Sequence, residues 1–337
     1  GDHRDLHSFP TRRSSDLVDA AALPGGEAEA LRRIATEAPQ PMDLERGPLY
    51  RAMLIRLAPE RRLLVVLIHH IISDGWSFGV LLKELGALYG AFAEGRPSPL
   101  AELPIQYADY AQWQRRWLEG LNLDEDIAYW RRKLAGPLPV LDLPSDRARS
   151  AEPRYEGGLA RLQMSKDVTA ALKALSRCEG ATLFMTLMTG LMALLNRHTA
   201  QTDIIVGTPL ANRERIETEG LIGFFLNMVP IRADLSDAPS FRELLARVRE
   251  TALEAFSRQR LPFERLIEAV QPARDMSHHP VYQIFFAYQN FPMAPVTLPG
   301  ATLRPYFVDR GAAALDIAWY LWEEDGAITG VVEYSKD

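Results

Sequence analysis

The feature that most constrains the fold is a continuous apolar run, residues 63–68 (LLVVLI), that leads directly into the sequence HHIISDG at residues 69–75. A short run of aliphatic and β-branched residues predicts a strand buried on both faces. Apolar residues then recur at helical spacing from Phe78 to Phe92, and Ser77 is the predicted N-cap of this helix. A strand that turns into a helix at a glycine is typical of α/β proteins, which place reactive groups at such turns.

The rest of the chain alternates strand and helix patterns, which predicts a mixed α/β fold. Strands are predicted at residues 49–57, 203–208, 226–232, 281–289, 315–322 and 327–334, and helices at residues 105–117 and 126–134 and after the caps Ser165, Thr182 and Ser240. Asp325 and Gly326 are expected to join the last two strands as a hairpin. Prolines and a lack of periodicity mark residues 137–158 as a linker between two lobes, residues 18–136 and 159–337.

Residues 1–17 follow neither pattern. The stretch SFPTRRSSDL within them is what a common short-read sequencing adapter encodes in one reading frame. We therefore predict that residues 1–17 are a non-native tail and that the native sequence begins near Val18. The alternative is a disordered native N-terminus.

Composition excludes several classes of function. The chain carries 38 Lys and Arg against 44 Asp and Glu, a formal net charge of −6, which argues against a general nucleic-acid binder. Its single cysteine, Cys178, excludes an intrachain disulfide framework and a multi-cysteine zinc site. No run approaches the roughly 20 apolar residues of a membrane span, and no secretory signal is visible. We predict a cytoplasmic protein with neither a membrane nor a nucleic-acid partner.

His69 and His70 carry the first chemical signal because they stand at the end of the predicted strand. Successive side chains of a strand point to opposite faces, so one imidazole is expected to enter a shared cavity and the other to pack or hydrogen-bond inside. Adjacent strand histidines do not easily ligate one ion, which argues against a metal site. The alternative is that both are structural histidines with satisfied hydrogen bonds.

Asp74 and Gly75 complete this motif. The carboxylate of Asp74 can orient an imidazole or pair with an arginine that braces the turn. Gly75 permits close approach of a ligand to the backbone, and the helix after it offers N–H groups to a developing oxyanion. Because no serine or cysteine sits in a nucleophile elbow, the pattern favours a histidine that acts on an incoming nucleophile without a covalent enzyme intermediate.

Residues 68–77 (IHHIISDGWS) resemble the HHxxxDG motif of the condensation domains of nonribosomal peptide synthetases. Five further blocks are similar to motifs of that family and follow in its order: residues 107–114 (YADYAQWQ), 207–213 (GTPLANR), 222–232 (IGFFLNMVPIR), 261–266 (LPFERL) and 274–281 (RDMSHHPV). The resemblance covers nearly all of the chain after residue 18. The sequence around the motif is similar to the type that joins an L-configured donor rather than to epimerisation or cyclisation domains.

The resemblance implies two lobes like chloramphenicol acetyltransferase, arranged in a V around a central tunnel, with the N-terminal lobe incomplete. It implies that upstream and downstream peptidyl carrier domains bring substrates on 4′-phosphopantetheine, that an adenylation domain adjoins in the parent synthetase, and that no cofactor or metal binds to the chain itself. The amine of one tethered aminoacyl thioester would attack the other tethered thioester and form a peptide bond in antibiotic biosynthesis. The catalytic residues implied are His70, His69, Asp74 and Gly75, with His70 near the middle of the tunnel.

Four further residues are expected to line this tunnel: Trp76, Ser77, Asn227 and Arg213. For three of them, Trp76, Arg213 and Asn227, a purely structural role is the alternative. An aromatic beside a buried strand, such as Trp76, is more often part of the core. Arg213 would equally suit a salt bridge or a turn, and Asn227 would suit a strand position whose amide is satisfied by backbone.

The chain departs from the family near its ends. Two motifs expected before His69 are absent, and the arginine expected to pair with Asp74 belongs to one of them, so the fragment itself is expected to be inactive. The last helix of the family is also expected to be missing. His278 and His279, which precede Pro280 in a loop, are predicted to be solvated.

Three other functions stay open from the sequence. They are an epimerisation-type relative that exchanges the Cα proton of one tethered residue, a standalone acyltransferase that uses coenzyme A or a free amine, and a non-enzymatic platform that keeps the motif but docks other proteins. Chiral analysis of the product would distinguish the epimerisation-type relative from a condensation domain. An adenylation domain next to this chain in the parent gene would argue against the standalone acyltransferase. Activity of the intact parent would exclude the non-enzymatic platform.

Overall fold

The computed structural model describes residues 15–19, 26–37, 40–120, 123–145, 154–272, 275, 277–289, 296–304, 309 and 311–336. Its contacts divide the chain into two compact units, Gly1–Asp74 and Gly75–Asp337. Residues 1–14 of the predicted tail and residues 146–153 of the predicted linker lie outside the described residues. The lobe boundaries at 137–158 stay a prediction.

The first unit is a small sheet with one helix. Its elements are β1 (Ser15–Asp19), α1 (Gly26–Glu37), β2 (Tyr50–Ala58) and β3 (Arg61–Ile68). β2 is the central strand, parallel to β1 and antiparallel to β3. Ala30 and Ile34 of α1 pack with Met53 and Ile55 of β2. The last three residues of the predicted tail, 15–17, therefore lie in a strand, and their non-native origin stays a prediction.

Strand β3 differs from expectation in its burial. Residues 63–68 are half-buried rather than buried on both faces. The continuous apolar run therefore does not mark a fully enclosed strand, and β3 is one of the two edge strands of this three-stranded sheet among the described residues.

The second unit contains the larger sheet. Its elements are α2 (Gly75–Ala93), α3 (Tyr107–Gly120), α4 (Asp124–Lys133), β4 (Gly157–Gln163), α5 (Lys166–Cys178), α6 (Leu183–Thr199), β5 (Asp203–Leu210), α7 (Ile216–Glu219), β6 (Asn227–Asp234), α8 (Phe241–Phe256), α9 (Phe263–Val270), β7 (Ile284–Gln289), β8 (Val296–Leu298), β9 (Ala301–Leu303), β10 (Ile317–Glu324) and β11 (Ala327–Ser335). Six of the strands form a mixed sheet in the order β4-β11-β10-β7-β5-β6, in which β7 is parallel to both of its neighbours. The prediction of a mixed α/β fold is confirmed.

Local signals set most boundaries of these elements. Ser165, Thr182 and Ser240 cap α5, α6 and α8 through their side-chain oxygens, as predicted. Asp325 and Gly326 both have positive φ and join β10 to β11, which is the turn that a two-residue hairpin requires.

The core of the second unit lies between the sheet and the helices α5, α6 and α8, which pack against β11, β5 and β6. Met188 of α6 and Leu245 of α8 are completely enclosed there. Trp130 and Leu134, at the end of α4, belong to the same core although the sequence placed α4 in the preceding lobe. Helix α4 therefore covers this core from outside.

Among the described residues, no single helix is long and apolar enough to cross a bilayer. The pair α5 and α6 reaches that length and composition only when the two helices are joined across a bend of 106°. Eight of the 17 residues of α6 are buried.

Candidate functional site

The two motif histidines have different environments because the chain leaves the sheet between them. β3 ends at Ile68, and the backbone N–H of His69 donates to the carbonyl of Leu49 at 2.9 Å. The Nδ1 atom of His69 accepts a hydrogen bond from the N–H of Ile71 at 3.1 Å. The His69 imidazole thus caps the short 3-10 helix His70–Ile72 and is committed to its own turn, as predicted for one member of the pair.

His70 is exposed and is the first residue of that 3-10 helix. The turn is closed by backbone hydrogen bonds from Ile72 to His69 at 3.1 Å and from Ser73 to His70 at 3.3 Å. The two histidines therefore differ in environment because of a turn. The expectation that alternation along a strand separates them is wrong in its cause, because β3 ends before His69. His70 is not a core histidine, which disfavours the interpretation of both rings as buried structural histidines.

Asp74 and Gly75 lie where the first unit ends and α2 begins. Asp74 is buried, with 4% of its surface exposed. It takes part in an interaction within the structure, and the expected loss of its arginine partner stays a prediction. Gly75 is the first residue of α2, so the helix starts earlier than predicted.

Ser77 is therefore not an N-cap but a buried residue in the first turn of α2. Its hydroxyl donates to the carbonyl of Gly223 at 2.9 Å and accepts from the N–H of the same residue at 3.0 Å. The Nη2 atom of Arg213 donates to the same hydroxyl at 3.0 Å. One side chain therefore ties α2 to two segments that are at least 136 residues away in sequence.

Arg213 binds the same region through its other nitrogen. Its Nη1 atom donates to the carbonyl of Leu221 at 2.8 Å and to that of Thr218. The guanidinium carbon lies 4.0 Å from the centre of the Phe225 ring, at cation–π distance. Of the two alternatives left open by the sequence, these contacts match a hydrogen-bonded turn.

Trp76 precedes Ser77 and is 39% exposed. Its Nε1 atom donates to the carbonyl of Glu219 at 2.9 Å. The ring is therefore not part of the core, which was the structural alternative for this residue. It presents an apolar surface beside the motif while its polar atom is bound.

Asn227 stands at the start of β6 with 7% of its surface exposed. Its side-chain nitrogen donates to the carbonyls of Gln259 and Leu261 at 2.7 and 2.9 Å. Its side-chain oxygen accepts from the N–H groups of Met228 and Phe263 at 2.9 and 3.0 Å. The amide is satisfied by backbone, which is the structural alternative that the sequence left open.

Sequence reasoning missed an ion cluster on α4. The carboxylate of Asp126 is buried and lies 2.7 Å from the Nε atom of Arg260 and 4.0 Å from that of Arg258. Arg258 also lies over the ring of Tyr129, with 4.1 Å between the guanidinium carbon and the ring centre. The only signal in the sequence was the pair of arginines in RQRLPFE, because Asp126 lies 134 residues before Arg260.

The prediction that His279 is solvated is wrong. Its ring centre lies 4.1 Å from that of Tyr282, and its Nδ1 atom accepts from the N–H groups of Val281 and Tyr282 at 3.4 and 3.3 Å. Burial lowers the pKa of His279 to about 4, because the charged imidazolium is desolvated there. The prediction is wrong for His278 as well, since only 12% of its side chain is exposed and its Nε2 atom lies 3.5 Å from the carboxylate of Asp275.

Across the described part of the chain, no group of three or more His, Cys, Asp or Glu side chains could hold a metal ion.

The chain matches the family model "Condensation domain" over residues 17–336. It is 45% identical, over 92% of its length, to one of the proteins that make up linear gramicidin synthase of Brevibacillus parabrevis. It is also 45% identical to malpinin synthetase of Mortierella alpina over 94% of its length. In each case it spans only 4% of the relative's own length. Since Mortierella alpina is a fungus, the relatives do not indicate a bacterial source.

Solved structures show the same fold. The X-domain from teicoplanin biosynthesis superposes with a TM-score of 0.84 at 33% identity, over 96% of this chain and 74% of that one. The four-domain nonribosomal peptide synthetase AB3403 gives a TM-score of 0.84 at 24% identity, over 96% of this chain and 25% of that one, which supports the fold alone. The predicted fold, like that of chloramphenicol acetyltransferase, is confirmed. The order of the six motif blocks, the match over residues 17–336 and the identity to long peptide synthetases agree, and the chain belongs to the condensation-domain family.

Proposed function

We propose that this chain forms peptide bonds between two substrates that are carried as thioesters on the 4′-phosphopantetheine of separate carrier domains. The observation that carries this proposal is the exposed imidazole of His70, held in a turn whose geometry is fixed by His69. Membership of the condensation-domain family supports the reaction class. The reaction is assigned to the full-length protein.

The proposed step is an acyl transfer. The free amine of the downstream aminoacyl thioester attacks the carbonyl carbon of the upstream acyl or peptidyl thioester. A C–N bond forms, the C–S bond to the upstream phosphopantetheine breaks, and the amine gives up one proton while the sulfur leaves as a thiol. The product is an amide that stays attached to the downstream carrier, so the step balances without an oxidant or a reductant.

His70 is proposed to act on the attacking amine, either by accepting its proton or by positioning it through a hydrogen bond. A general base of this kind contributes roughly 100- to 10,000-fold to a rate. The remainder of the rate enhancement would come from holding two tethered reactants together, since orientation alone can lower a barrier by about 7–11 kcal/mol.

Other motif residues receive supporting roles in the proposal. Backbone N–H groups at the start of α2, near Gly75, would stabilise the oxyanion that forms on the attacked carbonyl. The exposed ring of Trp76 would line the substrate path beside the motif. Asp74 would brace the turn, and Ser77, Asn227 and Arg213 would support the backbone around that path.

The proposed partners are an upstream and a downstream peptidyl carrier domain and an adenylation domain. The chain spans only 4–6% of the length of two of the synthetases that it resembles. These partner domains are therefore proposed for the full-length protein. The proposal also includes an L-configured donor and a cytoplasmic location, which stay predictions from the sequence.

The test compares His70→Ala with wild type in the full-length protein, with both carriers loaded with defined substrates. We expect dipeptide formation to fall by at least about 100-fold. A rate profile against pH separates the two roles of the imidazole, because a general base imposes its own titration on turnover and a positioning group does not. Near-normal turnover of His70→Ala would refute the assignment.

The neighbouring histidine gives a matched control. In His69→Asn the side-chain oxygen still accepts from the N–H of Ile71, so the turn keeps its cap while the imidazole is removed. We expect a lower melting temperature than that of wild type, and a much smaller loss of turnover per folded molecule than for His70→Ala.

Two further measurements test the alternative functions. Chiral analysis of the product tests the epimerase alternative, since condensation leaves the donor configuration unchanged. A coenzyme A thioester in place of the upstream carrier tests the standalone acyltransferase.

A recruitment platform is the second candidate function. The observation that favours it is the structural likeness, at 33% identity and a TM-score of 0.81, to the teicoplanin X-domain in complex with OxyB. A platform would bind its partner equally well with His70→Ala and would form no dipeptide. Dipeptide formation that depends on His70 excludes it as the main function.

A further inference from the structure

We propose that Arg213 and Ser77 are positioning residues for peptide-bond formation, which hold the first turn of α2 against the backbone of residues 218–223. This inference rests on the proposed function, because the first turn of α2 begins at the motif glycine Gly75. Neither side chain needs to touch the substrate for this role. Each acts on the reaction through the backbone that it fixes.

The hydroxyl of Ser77 satisfies both backbone groups of one residue. It donates to the carbonyl of Gly223 at 2.9 Å and accepts from its N–H at 3.0 Å, and only 1% of Ser77 is exposed. Two opposed hydrogen bonds to one residue fix both the distance and the rotation of that residue relative to α2. Water cannot replace the hydroxyl easily, because the site is enclosed.

Arg213 extends the same connection to a whole turn. One nitrogen donates to Ser77 at 3.0 Å, while the other donates to the carbonyls of Thr218 and Leu221. The planar guanidinium presents these donors in a fixed fork and packs against the ring of Phe225. A lysine ammonium carries the same charge but lacks this fork, so the geometry favours arginine at this position.

The segment that receives these bonds is fixed from its other side. The ring of Tyr107 lies so close to Gly223 that a Cβ there would overlap it. The hydroxyl of Tyr107 donates to the carbonyl of Phe224 at 2.7 Å. Because the segment is held by Tyr107, the bonds from Ser77 and Arg213 restrain α2 rather than move with it.

This arrangement also gives four separate motif blocks one shared role. The blocks at residues 68–77, 107–114, 207–213 and 222–232 each contribute one member of this cluster: Ser77, Tyr107, Arg213 and Gly223. Trp76 adds a second tie from the same helical turn to Glu219. The first turn of α2 is therefore anchored at two successive residues immediately after Gly75.

The experiment is a double-mutant cycle in the full-length protein with loaded carriers: Ser77→Ala, Arg213→Lys and the double variant. Misplacement of groups by about 1 Å can cost about 100-fold in rate. We expect kcat to fall about 10- to 100-fold in each single variant, while KM for the loaded carriers changes less than about threefold. Because both side chains act through one hydrogen-bond cluster, the double variant should be hardly slower than the slower single variant.

A second readout does not depend on activity. Backbone amides in the first turn of α2 and around Gly223 should exchange with solvent at least about tenfold faster in Ser77→Ala and Arg213→Lys than in wild type. Exchange in the core helix α6 should stay unchanged, which shows that the variants are folded.

Arg215→Ala is the matched control. Arg215 lies two residues from Arg213 but is exposed, and its guanidinium carbon lies 4.4 Å from the centre of the Trp113 ring. Removing it leaves the Ser77 cluster intact, so kcat and the exchange of α2 should match wild type.

The possible outcomes separate the two proposals. If the variants exchange and turn over like wild type, or if their effects on kcat multiply, the positioning role is wrong. If wild type forms no dipeptide, the proposed function fails, while faster exchange in α2 would still show that Ser77 and Arg213 hold this turn. If only the melting temperature falls and kcat per folded molecule is unchanged, the residues are structural and the positioning role is overturned.

Discussion

The side-chain oxygen of Asn227 accepts a hydrogen bond from the backbone N–H of Phe263 at 3.0 Å, so the first residue of β6 holds the first residue of α9. The same amide donates to two carbonyls in the segment that leads into α9. Asn227 therefore does for a distant helix what an N-cap residue does for its own. Pro262, which precedes α9, has no polar side chain that could provide such a cap.

Asn227→Ala is expected to lower the free energy of unfolding by about 2–4 kcal/mol, because it leaves several backbone groups without a partner in a mostly buried place. Asn196→Ala is the comparison, since the amide of Asn196 donates to one carbonyl, that of Gln201, at 2.9 Å. We expect about 1 kcal/mol there. Urea unfolding monitored by tryptophan fluorescence measures both. Equal losses would contradict the role assigned to Asn227.

The buried carboxylate of Asp126 is expected to matter more than an exposed ion pair. Asp126→Asn removes the charge that faces Arg258 and Arg260, and we expect it to cost roughly 2–4 kcal/mol, because two guanidinium groups then face a neutral amide. Glu268→Gln breaks the exposed pair with Arg265 and should cost less than about 1 kcal/mol. Urea unfolding at low and high salt measures both losses. High salt should reduce the loss for Glu268→Gln more than the loss for Asp126→Asn, since screening acts mainly on exposed charges.

The sequence predicts what depends on neighbouring residues. Three caps could be identified from the sequence, because each accepts from an N–H only three residues ahead: Ser165, Thr182 and Ser240. Ser77 shows the same local pattern, yet it bonds to Gly223, 146 residues away, and the helix begins earlier. The local sequence pattern does not show whether a side chain bonds to its own helix or to a residue that is distant in sequence.

The candidate site divides in the same way. His70 and its turn follow from the motif, because a short segment sets the geometry. The burial of His279 and the ion cluster at Asp126 depend on residues that approach only in the folded chain. The sequence showed only a histidine before a proline in a loop, and from this we wrongly predicted that His279 is exposed to solvent.

Gly223→Ala and Gly190→Ala are expected to have opposite effects. A Cβ at Gly223 would overlap the ring of Tyr107, so we expect a loss of about 1–3 kcal/mol and a displaced segment. Gly190 lies within α6, and among the described residues no atom outside its own helical turn stands within 4 Å of the place that a Cβ would take. Alanine there should stabilise the helix by about 0.5–1 kcal/mol. Thermal unfolding of the two variants checks the sign of each change. Stabilisation by Gly223→Ala would show that the ring of Tyr107 moves freely.

His279 should make the stability of the protein depend on pH between about 4 and 6.5. Its pKa is about 4 in the folded protein and near 6.5 in the unfolded chain, so over this range the unfolded state binds the proton and the folded state does not. Stability therefore rises with pH through this window and falls as the solution is acidified, by at most about 3 kcal/mol and less where solvent reaches the ring. The free energy of unfolding from urea titrations at about pH 4.5, 5.5, 6.5 and 7.5 measures the slope.

His279→Asn should flatten that slope. The asparagine oxygen stands at the same distance along the side chain as Nδ1, so it can accept from the N–H groups of Val281 and Tyr282 without titrating. Loss of the ring contact with Tyr282 lowers stability at every pH, but the dependence on pH between about 4 and 6.5 should become weaker. His278→Asn is the control, because His278 faces the carboxylate of Asp275 and its removal leaves the buried ring in place. If His278→Asn flattens the slope and His279→Asn does not, the ring of His279 has no part in the acid sensitivity.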